Sequence, residues 1–357
     1  MANTHALFQN YNQKIKISSD KRSILFVVRD SLRARMKSNF LLIPAETRMQ
    51  LELYFQTQGS VIMDTIINPL DDDFDLDDGV YFKGNVADES RPAPDVFHQW
   101  VIQAVDKDNE YETITDKPTC VRVKYKQGFH IDIPIYFAGN YECPDLAHTK
   151  ENWIMSNPVE FIEWFEQIAN SGFQKAFLYD SSTFAEPYVK WLSDIRKQDC
   201  QIRRVVRYVK AWADKDKKDM PCGIVMTILV ANNLAVNERD DIAFRDTLVN
   251  IKKYFDSNGV QCPRPTSPVG EDLLAKTSAE DKAHFIKMLE SLIDTGNKAI
   301  NSVSERQASI LWNKALGTRF PVVPEPLKPQ DSTPQYEAQI EALRRTASQS
   351  RPWSPKK

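Results

Sequence analysis

Residues Gln58 to Gly79 read QGSVIMDTIINPLDDDFDLDDG. A Gly-Ser pair closes an alternating segment, Met49 to Thr57, in which Leu51, Leu53 and Phe55 share one face; this pattern predicts a strand that delivers the chain to Gly59. A short helix follows over Val61 to Ile66, with its amides toward a phosphate, and Asn68-Pro69 ends it. Then come Asp73, Asp75 and Asp77, with Phe74, Leu76 and Val80 between and after them. Side chains at i and i+2 lie on one face of a strand. Either Asp73 with Asp75 or Asp75 with Asp77 can therefore reach one divalent cation while Phe74 and Leu76 enter a core. Carboxylates suit Mg²⁺, which is held by one or two of them together with substrate phosphates. Gly59 lets backbone amides approach a phosphate, and Ser60 adds a hydroxyl donor. An Asp run is usually a solvated loop and a lone Gly-Ser says nothing; their combination describes a metal-dependent nucleotidyl-transfer site.

A third carboxylate strengthens that reading. Phe129 to Tyr136 alternates, and Asp132 is its only acid, in a context of isoleucines where Asp is disfavoured. Cys120 to Tyr125 forms the other arm of a hairpin. If Val121, Val123 and Tyr125 share a face with Ile131, Ile133 and Ile135, the loop is Lys126-Gln127-Gly128, with Gly128 left-handed. Arg122 and Lys124 then stand on the face of His130 and Asp132. They are either a cationic rim for a triphosphate or base, or plain solvent-facing positions.

In these segments the chain resembles the cGAS/DncV-like nucleotidyltransferases of bacterial anti-phage defence, within the polymerase-β-type superfamily, and among them the bacterial cyclic GMP-AMP synthases. The matching pieces are TQGS (Thr57 to Ser60), MDT (Met63 to Thr65), DLDDGVY (Asp75 to Tyr81), HIDIPIY (His130 to Tyr136), WIMSNP (Trp153 to Pro158) and RYVKAW (Arg207 to Trp212), in the family's order. The family's Asp-x-Asp-Asp-Gly pattern falls on Asp75 to Gly79 and selects Asp75 with Asp77. The resemblance implies an α/β fold: a polymerase-β-like nucleotidyltransferase lobe with a mixed sheet, plus a C-terminal helical lobe, forming a cleft. It implies catalysis by Asp75, Asp77 and Asp132 holding two Mg²⁺ ions, for which Mn²⁺ can substitute. Gln58, Gly59, Ser60, Arg122 and Lys210 would bind the NTP. The product would be a cyclic di- or oligonucleotide, a purine one such as cyclic GMP-AMP favoured, made from ATP and GTP and read by a downstream effector. Relatives place a Pro-Ser at the start of a later helix; here the pair is Pro221-Cys222, and a thiol is a poor phosphate donor. The same triad would serve an RNA-end nucleotidyltransferase or a protein-modifying nucleotidylyltransferase. The first would favour a more basic groove, and proteins of the second class are typically shorter. A DNA sensor of the animal type needs a zinc insertion with clustered His and Cys, which the sequence lacks.

The chain of 357 residues has 42% hydrophobic and 27% charged residues, ordinary for a soluble globular protein, and a net charge of -3 that gives no sign of a general polyanion binder. With no apolar run of membrane length and no signal-peptide core, the expectation is a cytoplasmic monomer that binds neither DNA nor membrane. Its 5 cysteines are scattered without a C-x-x-C pair, as in reduced cytoplasmic proteins.

Residues Lys21 to Met36 predict a helix capped by Ser19 or Asp20, with Ile24, Leu25, Val28, Leu32 and Met36 on one face. Asp95 to Val105 predicts another, on a stripe of Val96, Trp100, Val101 and Val105. Asn157-Pro158 opens a helix with Phe161, Ile162, Phe165 and Ile168 inward. Gln201 to Ala213 turns Ile202, Val205, Val206, Val209 and Trp212 inward and leaves Lys210 on a solvated face, where the resemblance makes it a triphosphate contact. Further helices are expected over Cys222 to Val236, Asp241 to Phe255, Ala279 to Ile300 with Ser278 as cap, and Ser304 to Leu316, stopped by Gly317. The organisation read from these signals is a nucleotidyltransferase lobe over 1–150, a helical lobe over 151–317, and a flexible Pro/Ser-rich tail over 318–357, with a helical turn or two near Ala338 to Arg345.

Overall fold

The computed structural model describes residues 1–106, 108–138, 144–174, 185–325, 338–342 and 344–345. Its helices and strands, in chain order, are α1 (His5–Ile15), α2 (Ser19–Phe40), β1 (Glu52–Thr57), α3 (Gly59–Ile62), β2 (Asp75–Lys83), α4 (Pro94–Val105), β3 (Tyr111–Lys117), β4 (Cys120–Tyr125), β5 (His130–Phe137), β6 (Asp145–His148) and β7 (Asn152–Met155). Then come α5 (Pro158–Ile168), α6 (Ala185–Gln198), α7 (Gln201–Ala213), α8 (Gly223–Asn233), α9 (Asp240–Asn258), α10 (Ala279–Ile300) and α11 (Glu305–Leu316). Residues 338–342 and 344–345 are helical; the rest of the expected flexible tail from 326 onward lies outside the described residues. No helix among the described residues is long and apolar enough to cross a membrane.

The chain forms two compact units, Ile17–Lys197 with Arg264–Glu271, and Met1–Lys16 with Gln198–Pro263 and Asp272–Lys357. Composition suggests a division after residue 150, where helical character begins. The units are cut differently: α5 goes with the sheet and α1 with the later helices. Long-range packing decides this, and composition does not carry it.

In the sheet unit the strand order is β1-β2-β5-β4-β3, with β6 on β5 and β7 on β6. The β2–β5 pair is parallel and the other pairs are antiparallel, so the sheet is mixed. One face is the core: Leu53, Phe55, Leu76, Val80, Phe82, Val121, Val123, Ile131, Ile133 and Ile135 are buried, with Leu25, Leu32, Met36 and Phe40 of α2 and Phe97, Trp100 and Val101 of α4 in the same cluster. Each large apolar side chain so buried contributes about 1.5–3 kcal/mol relative to exposure. The hairpin has the expected register, with Val121 opposite Ile133 and Arg122 opposite Asp132. Gly128 has φ +90°, and Tyr125 and Phe129 close the three-residue loop by a backbone bond of 2.9 Å.

Several local expectations shift. Ser18, not Ser19 or Asp20, caps α2, accepting from the Lys21 amide at 3.2 Å. That frame turns Ile24 outward (48% exposed) and brings Phe40 in. In α4, Val96 lies at the surface while Phe97 is buried. The helix expected over Val61 to Ile66 is the single turn α3, because Asp64 adopts φ +50° and is held there by Arg22 at 2.7 Å. The edge strand β3 and the β6–β7 hairpin were not anticipated. The burial of β3 does not alternate, its half-buried positions falling at every third residue, and the short hairpin carries little periodic signal.

The helical unit is centred on Phe8 of α1, whose ring meets Tyr208, Phe244, Trp312 and Phe320 at 5.0 to 5.6 Å. Asp240 anchors it, accepting from Arg204 at 2.7 and 2.8 Å and from the Tyr208 hydroxyl at 2.8 Å. The caps read from the sequence hold: Asn157 on α5, Ser278 on α10, and Gly317 with φ +90°; Ser304, expected as the first residue of its helix, is instead the cap of α11.

Candidate active site

Alternation along β2 and β5 divides polar from apolar. On β2, Asp75 and Asp77 are half-buried on one face, while Leu76 and Asp78 are buried on the other. Parallel pairing sets Asp77 opposite Asp132 and Asp75 opposite His130, and antiparallel pairing sets Arg122 opposite Asp132. Asp77, Asp132 and Arg122 thus form one row across three adjacent strands. Asp75 begins the next row, with His130 and Lys124.

Two glycines are required by residues of this site. A Cβ on Gly59, which has φ +66°, would collide with Asp77 Oδ2 and stand 3.4 Å from its Cγ. Only glycine lets the turn back onto that carboxylate. A Cβ on Gly79 would collide with Gln58 Nε2 and stand 2.9 Å from its Cδ and 3.1 Å from Tyr136 Cε2. The two motifs are therefore complementary: the Gly-Ser turn makes room for the Asp strand, and the Gly of the Asp strand makes room for the residue before the turn.

Gln58 differs from expectation. Its side chain is buried, donating to the Tyr81 hydroxyl at 2.8 Å and accepting from the Tyr136 hydroxyl at 3.3 Å, so that it bridges the hydroxyls of two rings stacked on each other at 4.7 Å. Its backbone amide donates to Asp77 O at 2.8 Å. The amide side chain props the sheet beneath the turn instead of projecting from it.

Arg122 grips Asp132, Nε to Oδ1 at 2.6 Å and Nη2 to Oδ2 at 2.7 Å, which raises the arginine's already high basicity. Asp73 accepts from His130 Nδ1 at 2.8 Å at the mouth of β2. Asp78 turns to the other face, where Arg33 holds it at 2.7 and 2.5 Å and the Thr57 hydroxyl donates at 2.9 Å. Cys120 lies near the acidic row. Burial, then the charges of Asp132 and Asp77, push its thiol up to about 12.

Asp75 and Asp77, adjacent on one strand face beside a backbone cradle that tolerates no Cβ, fit a hard cation completed by phosphate oxygens. Among the described residues no group of three or more His, Cys, Asp and Glu is arranged to hold a metal ion, consistent with both oxygens of Asp132 being engaged by Arg122. Lys210 belongs to the helical unit, on α7; its Nζ lies 3.8 Å from where a Cβ of Gly223 would stand, at the start of α8. Cys222 precedes that helix as an exposed N-cap whose side chain makes no cap bond.

The Arg33–Asp78 and Asp73–His130 pairs escaped the sequence reading, since both depend on which elements meet. The Arg122–Asp132 pair was available from the hairpin register, with its two members assigned separate roles.

Residues 53–136 match the family described as Cyclic GMP-AMP synthase DncV-like, nucleotidyltransferase domain. Among curated proteins, a c-di-GMP synthase of Roseivirga ehrenbergii is 25% identical over 260 residues, covering 68% of this chain and 66%, just under two thirds, of that relative. Among solved structures, the Vibrio cholerae DncV cyclic AMP-GMP synthase superposes with a TM-score of 0.69 at 19% identity, covering 90% of this chain and 98% of that one. The same synthase in complex with the linear intermediate 5' pppA(3',5')pG gives 0.68 at 20% identity, covering 90% and 98%. The fold is the polymerase-β-like nucleotidyltransferase fold.

Proposed function

We propose that this chain, whose residues 53–136 match the DncV-like nucleotidyltransferase domain, is a cGAS/DncV-like nucleotidyltransferase, a metal-dependent synthase that joins purine NTPs into a cyclic dinucleotide. The observation that carries this is the row Asp77–Asp132 across parallel strands, with Asp75 two residues away and the Gly59-Ser60 turn packed against Asp77. Each round forms one phosphodiester, from a ribose hydroxyl and an α-phosphorus, and releases one pyrophosphate. The first yields a linear pppNpN and the second closes the ring. A relative captured with such a linear intermediate supports two rounds in one site.

Asp75 and Asp77 would hold the cation, with Asp132 completing the set for a second. When bound, Mg²⁺ (or Mn²⁺) polarises the phosphoryl oxygens and lowers the pKa of the attacking hydroxyl. Ser60 would donate to a donor phosphate at the turn, with the backbone of Gly59 close enough to do the same. Arg122 would meet triphosphate charge, as the family resemblance implies for Lys210, each such bond contributing about 1.5–3 kcal/mol.

The names of the relatives share guanine, so we propose GTP as one substrate; cyclic di-GMP and cyclic GMP-AMP are the two products to separate. The deciding experiment is incubation with labelled NTPs and Mg²⁺ or Mn²⁺, followed by phosphatase. A resistant small product that co-migrates with one of those standards is expected. A ladder would replace this reading with RNA-end addition, and label on protein with protein nucleotidylylation. We further propose that the product acts through an effector in anti-phage defence, which phage plating on cells expressing the wild type or Asp77→Asn would test.

A further inference from the structure

We propose that Arg122 holds Asp132 out of the cation site in the nucleotide-free chain and surrenders it when phosphate charge arrives, so that Arg122 couples nucleotide occupancy to recruitment of the second cation. This rests on the nucleotidyltransferase reading above and goes beyond it in assigning Arg122 a guard role in addition to ligand contact.

Asp132 is the middle carboxylate of its row, facing Asp77 on one side and Arg122 on the other. A two-point fork at 2.6 and 2.7 Å engages both of its oxygens. A planar guanidinium matches a carboxylate in this way better than any other cationic side chain. The side chain of Asp132 is 13% exposed and that of Arg122 27%, so the pair is screened from water without being sealed. A cation that approaches Asp75 and Asp77 finds two carboxylates on one strand face, enough for one ion with phosphates. To recruit Asp132 it must displace a guanidinium already at hydrogen-bonding distance and repel a full positive charge.

A triphosphate changes this balance. It carries more charge than a carboxylate and offers the same fork to Arg122. The guanidinium can transfer by a change of rotamer, because it ends a strand side chain at a partly exposed position. Asp132 then keeps its place in the row, fixed by pairing on both strands, with its oxygens released. The arrangement would keep the nucleotide-free site from accumulating a second ion.

The test is Mn²⁺ binding to the full chain without nucleotide, read by the spin resonance of free Mn²⁺. Arg122→Met should bind Mn²⁺ about tenfold more tightly or gain a second ion, on the scale of a charge-assisted pair. Arg122→Met/Asp132→Asn should lose that gain. Asp132→Asn alone should leave nucleotide-free binding within about twofold, yet weaken binding once a non-hydrolysable GTP analogue is present. An Arg122→Met isotherm equal to wild type overturns the proposal, as does weakened nucleotide-free binding in Asp132→Asn. If Arg122→Met does not fold, Arg122→Lys, which can hold only one oxygen at a time, should give an intermediate gain, and no gain overturns the idea equally. Failure of the underlying reading looks different: Asp75→Asn and Asp77→Asn would then leave Mn²⁺ binding intact.

Discussion

Gly79→Ala tests how the two motifs lock together. The new methyl group would stand 2.9 Å from Gln58 Cδ and 3.1 Å from Tyr136 Cε2, and closer still to Gln58 Nε2. A flexible side chain end often yields cheaply, but this one is buried and hydrogen-bonded to Tyr81 at 2.8 Å and Tyr136 at 3.3 Å. Moving it forfeits two neutral bonds of about 1 kcal/mol each and adds crowding of about 1–3 kcal/mol. The expected loss is about 3–5 kcal/mol. Gln58→Ala forfeits the same two bonds without crowding, about 2 kcal/mol. In the double variant the methyl enters vacated space, so the pair should cost little more than Gln58→Ala alone, a favourable coupling of about 3–5 kcal/mol. Urea denaturation of all four proteins, with the transitions of the two units fitted separately, measures this cycle. Additivity within about 0.5 kcal/mol would refute the steric complementarity.

Asp75→Asn, Asp77→Asn and Asp132→Asn should each abolish product in the labelled-NTP assay, while Asp73→Asn should stay within a small factor, since asparagine Oδ1 can still accept from His130. An inactive Asp73→Asn beside an active Asp77→Asn would move the cation pair by two residues. Asp78→Ala should leave Arg33, which is partly exposed and keeps the Thr57 hydroxyl at 3.0 Å, without its carboxylate and cost about 1.5–3 kcal/mol in stability, with Mn²⁺ binding retained; lost Mn²⁺ binding in a folded variant would make Asp78 a ligand. Ser60→Ala and Lys210→Ala should each weaken NTP binding about tenfold, seen as a smaller thermal shift with a non-hydrolysable NTP, and an unchanged shift returns the residue to a solvated role. Cys120 should resist iodoacetamide at pH 8: with its thiol pushed up to about 12, thiolate appears only as pH rises toward that value, and only roughly one molecule in ten thousand carries it at pH 8. Rapid labelling of Cys120 in the folded chain would contradict that burial.

The chain's own order of residues determined the strands of the site, their inward faces, the three-residue hairpin loop and hence the opposition of Arg122 to Asp132. These follow from a side-chain period of two and from one glycine at φ +90°. Caps at Asn157 and Ser278 were equally legible, because a cap is a bond between residues three apart. Among Asp73, Asp75 and Asp77, periodicity alone allowed two pairs, and the family pattern chose between them. Tertiary structure decided the rest. Parallel pairing of β2 with β5 sets Asp77 against Asp132 across distant sequence. Packing on α2 turned Asp78 into a partner of Arg33, and the clash of a Cβ at Gly79 with Gln58 explains why that motif must contain glycine. No local pattern encodes these, since each depends on which surfaces are brought together when apolar faces leave water. The same reason placed Gln58 in a buried network between two tyrosines and Asp132 in the grip of Arg122.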